Sequence, residues 1–205
     1  MSEMSSRLLF TLLVAVVAVE RLVELRVAAR NRLAALAEGG VEFGNPHYRV
    51  MKALHTAFLA AAVAEVWLLH RRFVPWLGWP MLALVVAAMM LRYWVIGTLG
   101  TRWNTRIIVV DSWEPAVEGP YRYIRHPNYV AVVVELFALP LVHTAWLTAV
   151  VFSLANVALL TTRIRAEDAA LARWHGYPEV LGTRRRFVPA VVDVRSRAHR
   201  GDVRG

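Results

Sequence analysis

Long apolar stretches dominate this chain and constrain its fold more than any other feature. Five of them are candidate helices, at residues 8–27, 51–69, 75–99, 129–141 and 146–162. Hydrophobic residues fill 58% of the 205 positions, which is more than a soluble domain usually carries. The last two stretches are short for a bilayer, which needs roughly twenty residues, so a tilted or deep helical hairpin is the alternative there. We predict an all-α integral membrane protein with about five transmembrane helices.

The distribution of arginine predicts how these helices are oriented. Basic residues outnumber acidic ones by 24 to 15, and they cluster after the first, third and fifth apolar stretches. The opposing loops carry little more than Arg71 and Arg72. By the positive-inside rule the N-terminus is outside and the C-terminus is cytoplasmic. Because the cations lie beside apolar spans, membrane lipid headgroups explain them better than nucleic acid does, and we expect no nucleic-acid partner.

The organisation of the chain is that of a single domain. Residues 1–194 form one membrane domain, and residues 195–205, polar and without periodicity, are predicted to be a disordered tail. The glycines and proline within 31–49 predict an irregular loop, whereas the β-branched run at 105–111 predicts a short extended segment. The chain has no cysteine, which excludes disulfides and thiolate metal sites, and we expect no metal site. A single lysine amid abundant Ala, Val and Leu suggests a GC-rich genome, and so a bacterial cytoplasmic membrane.

A dense polar motif stands at the start of the fourth apolar stretch. Residues 118–129 read Glu-Gly-Pro-Tyr-Arg-Tyr-Ile-Arg-His-Pro-Asn-Tyr. Polar groups at the mouth of a membrane segment are costly, and they usually mark function. Pro127 suits the first turn of the helix that follows, and the N-terminus of that helix adds positive potential for an anion. The motif predicts a site that holds a charged ligand beside the membrane.

A second polar block follows the last apolar stretch. It begins with Arg163-Ile-Arg-Ala-Glu-Asp, continues with Gly176-Tyr177, and closes with Arg184-Arg-Arg-Phe-Val-Pro. Together the two blocks resemble the signature of the isoprenylcysteine carboxyl methyltransferase family. That signature has Gly-Pro-Tyr, then Arg-His-Pro, one residue and Tyr, and later an arginine followed by two acids. The resemblance covers about 95–190, and the second acid here is aspartate where the family usually has glutamate.

The resemblance implies that S-adenosylmethionine is the cofactor, held in a cytoplasmic C-terminal pocket. The cofactor-binding residues it implies are Tyr121, Arg125, His126, Pro127, Tyr129, Arg163 and Glu167, and the catalytic residues are Glu167, Arg186 and Arg125. Charge-assisted hydrogen bonds from Arg125 or His126 suit the cofactor's carboxylate. Glu167 suits its ammonium or ribose hydroxyls. Tyr121 and Tyr129 offer an aromatic wall and a hydroxyl.

Several of these polar residues also have a purely structural interpretation. Arg125 and His126 suit an interfacial anchor whose polar ends reach the headgroups. Arg163 and Glu167 lie four positions apart, so they suit a helical ion pair. The arginines at 184–186 suit a positive-inside stop and lipid contact as well as a substrate role.

Charged residues also lie inside the predicted spans. Glu20 and Glu24 share one face of the first helix, and Arg92 lies inside the third. Intramembrane charges usually face the interior of a bundle and pair there, so we predict a structural Glu–Arg pair. Trp103 lies near the motif, where it is a candidate for the substrate entrance.

The predicted reaction is S-adenosylmethionine-dependent methyl transfer to a lipophilic acceptor, through a phenol, enol or carboxylate oxygen. Segments 40–55 and 105–109 resemble the bacterial branch that O-methylates long-chain alkylresorcinols or alkylpyrones. One alternative is an NADPH-dependent membrane reductase of the sterol reductase type. The other is a non-enzymatic lipid-binding protein whose arginines clamp headgroups.

Overall fold

The computed structural model describes residues 2–114 and 116–172, with side chains throughout except at 45–47. The described elements are α1 (Glu3–Ala37), β1 (Val41–Phe43), α2 (Asn45–Leu68), α3 (Pro75–Leu99), β2 (Ile107–Val109), α4 (Pro127–Leu141) and α5 (Trp146–Leu171). Short 3-10 turns at Gly100–Arg102 and Gly119–Arg122 connect α3 to β2 and β2 to α4. The predicted tail at 195–205 lies outside the described residues.

The helical architecture confirms the predicted all-α class. Within the described residues, three helices are long and apolar enough to cross a membrane, at Tyr48–Leu68, Pro75–Arg102 and Trp146–Leu171. Helix α4 has only 15 residues, and α1 interrupts its apolar run with charged side chains from residue 20 onward. The expectation of five spans is therefore supported for three helices and stays a prediction for α1 and α4.

The segment 31–49 is more regular than its glycines and proline predict. Helix α1 continues to Ala37, β1 follows, and α2 already begins at Asn45. Strand β1 pairs antiparallel with β2, with Val41 opposite Val109 and Phe43 opposite Ile107. The extended segment predicted at 105–111 is thus confirmed, whereas the irregular loop was wrong. The partner strand lies more than sixty residues away, so local sequence gave no sign of the pairing.

Helix α4 occupies the centre of the bundle. Its residues from Ala138 to Leu141 are buried, and α3 and α5 both pack against it. The main apolar core joins Leu136 and Leu139 to Phe10 and Val17 of α1 and to Phe58 of α2. This position explains how so short a helix stays in an apolar setting, since neighbouring helices cover most of its surface.

An ionic cluster lies among α1, α3 and α4, beside this core. Arg92 Nη2 lies 2.6 Å from Glu135 Oε2, and Arg21 Nη1 lies 2.6 Å from Glu24 Oε2. Glu24 is also 3.8 Å from Arg92, and Glu20 is 3.8 Å from Arg21. The predicted structural Glu–Arg pairing is therefore present, but the nearest partner of Arg92 is Glu135. Three carboxylates and two guanidinium groups make up the cluster.

A carboxylate of α2 caps the first turn of α5. The residue before that helix, Ala145, provides no side-chain cap. Instead Glu65 accepts hydrogen bonds from the N–H groups of Leu147 and Thr148, at 3.1 and 2.7 Å, and from the Thr148 hydroxyl at 2.7 Å. Arg71 Nη2 lies 2.8 Å from the same carboxylate. Because unpaired N–H groups at a helix start are costly away from water, this long-range cap fastens α5 to α2.

Truncating this cap is expected to destabilise the protein. We expect Glu65→Ala to lower the free energy of unfolding by about 2–3 kcal/mol, since two N–H groups lose an ionised acceptor. Glu65→Gln keeps one acceptor oxygen and should therefore lower the free energy of unfolding by less. Thermal unfolding in detergent, followed by circular dichroism, measures both variants against the exposed control Glu118→Ala. A Glu65→Ala midpoint equal to that of the control would contradict the capping role.

Candidate active site

An open cavity of about 200 Å³ lies where the ends of α3 and α5, strand β2 and the start of α4 meet. We call it the first cavity. Among the residues that line it are Val95, Leu99, Arg102, Trp103, Asn104, Tyr121, Arg125, His126, Asn128, Tyr129, Arg163 and Glu167. The first polar block and the described start of the second, some forty residues apart, therefore share one space.

Six of the seven predicted cofactor-binding residues line this cavity. The seventh, Pro127, is the first residue of α4 and is buried there. The predicted catalytic residues Glu167 and Arg125 also line the cavity. Arg186 lies outside the described residues, as do Gly176, Tyr177 and the basic run at 184–186. Trp103, the candidate entrance residue, is buried in the cavity wall.

The local fold of the first block depends on a close backbone approach. Gly119 has φ +53°, and a Cβ there would lie 2.2 Å from the hydroxyl oxygen of Thr98 on α3. Glycine suits this position, because it adopts a positive φ without strain and a Cβ would force the Thr98 side chain to move. The Gly-Pro turn consequently lies tight against the end of α3 and directs Tyr121 to the cavity, while the chain continues to His126, the residue that precedes α4.

The Tyr129 hydroxyl connects the two blocks. It accepts a hydrogen bond from Arg163 Nε at 2.9 Å and donates one to the carboxylate of Glu167. Arg163 also donates from Nη2 to the carbonyl oxygen of Thr105, at 2.6 Å. Arg163 and Glu167, four apart on α5, thus meet through a tyrosine of α4. These hydrogen bonds connect the start of α4 to the end of α5, and they connect both helices to the segment before β2.

His126 lies against both acids of the second block. Its Nε2 is 3.3 Å from Asp168 Oδ1, and its Nδ1 is 3.9 Å from Glu167 Oε2. The imidazole is 5% exposed and stacks on the ring of Tyr129, with centroids 5.4 Å apart. The side chain of Glu167 remains 27% exposed. The histidine is held in place, and the glutamate keeps access to the cavity.

Tyr121 presents a protonated hydroxyl at the cavity wall. Burial raises the pKa of Tyr121 above its ordinary value, and the nearby Glu167 carboxylate raises it further. Both effects disfavour a phenolate beside an existing negative charge. Tyr121 can therefore act as a hydrogen-bond donor or an aromatic wall at neutral pH, but not as a base.

Two buried polar atoms in this cavity lack hydrogen-bond partners among the residues that the structure describes. They are the Nε of Arg125, a cationic donor, and the Oδ1 of Asn128, an acceptor. Buried polar groups are nearly always paired, so a ligand that moved these two side chains slightly could complete their hydrogen bonding. A ligand carrying both a carboxylate and a donor would satisfy them. Sequence reasoning missed Asn128, which sits at the variable position of the motif between Pro127 and Tyr129.

These observations define an all-α membrane protein with a polar cavity at the ends of its helices. A family model for the isoprenylcysteine carboxyl methyltransferase family matches residues 81–173, and every lining residue of the first cavity lies within that range. The uncharacterized protein YpbQ of Bacillus subtilis is 38% identical over 167 residues, which are 81% of this chain and 98% of that protein. An uncharacterized protein of Haemophilus influenzae is 27% identical over 162 residues, covering 78% of this chain and 91% of its own.

The protein belongs to the isoprenylcysteine carboxyl methyltransferase family. The resemblance drawn from the two polar blocks is thereby confirmed at the level of the family. Membership suggests a membrane methyltransferase.

Proposed function

We propose that this protein transfers a methyl group from S-adenosylmethionine to an oxygen of a lipophilic acceptor at the membrane. The observation that carries the proposal is that Arg163 and Glu167, from the start of the second polar block, line one cavity with the first block. Glu167 faces His126 at 3.9 Å, and Tyr129 hydrogen-bonds to Glu167. Family membership supports the same reaction class.

The residues of the first cavity fit the charges of this cofactor. Arg125, with its unpaired Nε, would hold the carboxylate by a charge-assisted hydrogen bond. The N-terminus of α4 adds positive potential at the same place. Glu167 and the unpaired Oδ1 of Asn128 would accept hydrogen bonds from the ammonium or the ribose hydroxyls. Trp103 and Tyr121 supply aromatic surface for the remainder.

The chemistry requires a nucleophilic oxygen and little water. When bound, S-adenosylmethionine supplies a methyl carbon on a sulfonium, and an acceptor oxygen bonds to that carbon as the carbon–sulfur bond breaks. The apolar residues Val95, Leu99 and Leu171 contribute apolar surface to the lining, and a bound lipophilic acceptor would cover the opening and exclude water. Glu167 is the candidate to take the proton of a phenol or enol acceptor. A carboxylate acceptor would need no base.

The proposed acceptor is a long-chain alkylresorcinol or alkylpyrone, as the resemblance to the bacterial branch suggests. The proposed site faces the cytoplasm, because Arg102, Arg106 and Arg125 line it and arginine-rich ends lie on the cytoplasmic side. An acceptor of this kind partitions into the bilayer and would reach the cavity from there.

Calorimetry on the purified full chain separates this proposal from its alternatives. We expect saturable binding of S-adenosylmethionine and of its demethylated product, S-adenosylhomocysteine, because the charged groups of both suit Arg125 and Glu167. We expect no saturable heat with NADPH. Binding of NADPH instead would support a reductase, and binding of neither would support a lipid-binding protein.

A further inference from the structure

A second cavity, of about 320 Å³, lies between α1 and the start of α2. Its α1 side is mostly apolar: Leu25, Ala28, Ala29 and Leu33 fall on one face of the helix at spacings of three and four, and Arg32 is the charged residue of α1 that lines it. Leu33 is 65% exposed, so this face opens outward. Tyr48 and the segment 104–106 line the other side. The second cavity therefore joins an apolar, outward-open wall to a polar end.

The two cavities lie on either side of a single segment, residues 104–106. Asn104 and Arg106 line both of them. Between these residues, the carbonyl oxygen of Thr105 accepts the hydrogen bond from Arg163 at 2.6 Å, and its hydroxyl lies 3.2 Å from that of Tyr48. A molecule in the second cavity would consequently lie beside the groups that form the first.

The polar end of the second cavity carries more positive than negative charge. Arg32 Nε donates to Glu42 at 2.8 Å, and Arg106 donates to the same carboxylate. Burial alone would raise the pKa of Glu42, but the hydrogen bonds from Arg106 and Arg32 outweigh it and lower the pKa. The guanidinium of Arg106 and the ammonium of Lys52 both lie over the Tyr48 ring, at 4.3 and 5.4 Å. Two arginines pair with the one carboxylate and Lys52 lies over the Tyr48 ring, so positive charge at this end exceeds negative charge, which favours an anionic or acidic head group.

We propose that the second cavity binds the methyl acceptor, a single-chain amphiphile with an acidic oxygen head group. Its alkyl chain lies along Leu25, Ala29 and Leu33, and its head group lies beside Arg106. Because the Arg106 side chain lines both cavities, the acceptor oxygen extends past it into the first cavity, where the methyl donor is proposed to bind. The inference rests on the proposed function for the identity of the reaction, but the binding itself does not require methyl transfer. An anionic phospholipid has the same chemistry of chain and charge, so the experiment distinguishes these two sources.

The apolar wall is tested by filling it. Ala29→Trp places a large side chain in the cavity, and Ala34→Trp, at an exposed alanine of α1 that lines neither cavity, is the matched control. In nanodiscs of phosphatidylcholine we expect Ala29→Trp to bind labelled pentadecylresorcinol at least about tenfold more weakly, since roughly two buried methylenes account for that factor. Binding of S-adenosylhomocysteine should be unchanged. If Ala29→Trp does not fold, Ala29→Leu tests the same wall with a smaller change.

The polar end is tested by removing its charge. Arg106→Gln should weaken binding of pentadecylresorcinol and of palmitate about tenfold, whereas Arg30→Gln, at an exposed arginine of α1, should not. Wild-type affinity in both Ala29→Trp and Arg106→Gln would overturn the proposal. So would a wild-type protein that binds neither probe. Displacement of the probes when phosphatidylglycerol is added to the nanodiscs would assign the cavity to phospholipid and overturn it as well.

Failure of this inference is distinguishable from failure of the proposed function. Wild-type protein that binds the probes but neither S-adenosylmethionine nor its product would contradict the methyl-transfer reaction and leave the second cavity as an amphiphile site. Wild-type protein that transfers labelled methyl groups, with a KM for acceptor that Ala29→Trp leaves unaltered, would contradict the acceptor site alone.

Discussion

Glu135→Gln is expected to lower the free energy of unfolding by about 3 kcal/mol, because it leaves a guanidinium in the bundle without its nearest counter-charge. The Glu135 side chain is 2% exposed and lies 2.6 Å from Arg92 and 3.8 Å from Arg21. Removing one partner of a buried ion pair costs far more than the pair contributes, since the desolvation of the remaining charge is no longer offset. Unfolding followed by circular dichroism in detergent measures the loss.

A double variant separates the cost of an orphaned charge from a general packing defect. Arg92→Met with Glu135→Leu replaces the pair by apolar side chains, and we expect it to recover most of the stability lost in Glu135→Gln. The exposed substitution Glu118→Gln is the matched control and should leave the unfolding midpoint unchanged. Destabilisation of the double variant equal to the sum of the Arg92→Met and Glu135→Leu single variants would show that the two groups do not interact.

Glu167→Ala is expected to weaken binding of S-adenosylmethionine at least about tenfold, since it removes a hydrogen bond to a charged group. Methyl transfer to a phenol should fall further, by about a hundredfold, if the same carboxylate takes the acceptor proton. His126→Ala is expected to weaken cofactor binding by a similar factor, because His126 faces Glu167 and Asp168. Calorimetry gives the first quantity, and labelled-methyl transfer gives the second.

The choice of control matters for this second test. Arg71 is remote from the first cavity, but it pairs with Glu65, the carboxylate that caps α5, so Arg71→Ala is not inert. Glu118→Ala removes an exposed carboxylate from the same motif and should bind the cofactor as the wild type does. Tyr129→Phe keeps the ring that stacks on His126 and removes only the hydroxyl between Arg163 and Glu167. Cofactor affinity equal to wild type in both Glu167→Ala and His126→Ala would refute the assignment of the site.

Local patterns predicted much of the fold, and the resemblance pointed to several residues that line the first cavity. The apolar stretches located all five described helices, because burial in lipid or in a bundle core demands long runs of apolar side chains. The ends of those helices were less accurate. Helix α1 continues ten residues past its predicted end, and α5 continues nine past its own. In α5 the helix extends beyond the apolar stretch because charged residues such as Arg163 and Glu167 are also helical. The apolar stretch placed the start of α4 two residues late, at 129, whereas Pro127, which fits the first turn of a helix, is its first residue.

Long-range pairing was beyond the reach of these patterns. Glu135 and Glu65 are single acids inside apolar runs, and nothing near them in sequence shows that one meets Arg92 and the other caps α5. The pairing of β1 with β2 likewise depends on residues far apart in the chain. Asn128 stood inside the motif, but its unpaired oxygen became visible only with the cavity around it.

The sequence by itself determined that this chain is a helical membrane protein and that two polar blocks lie at helix ends, because hydropathy and helix-start signals act over a few neighbouring residues. Tertiary structure alone decided which charges meet. It brought Tyr129 between Arg163 and Glu167, and it set Arg106 between two cavities. The physical reason is that partner choice follows from how helices pack against one another, and packing is a property of the whole bundle rather than of any one segment.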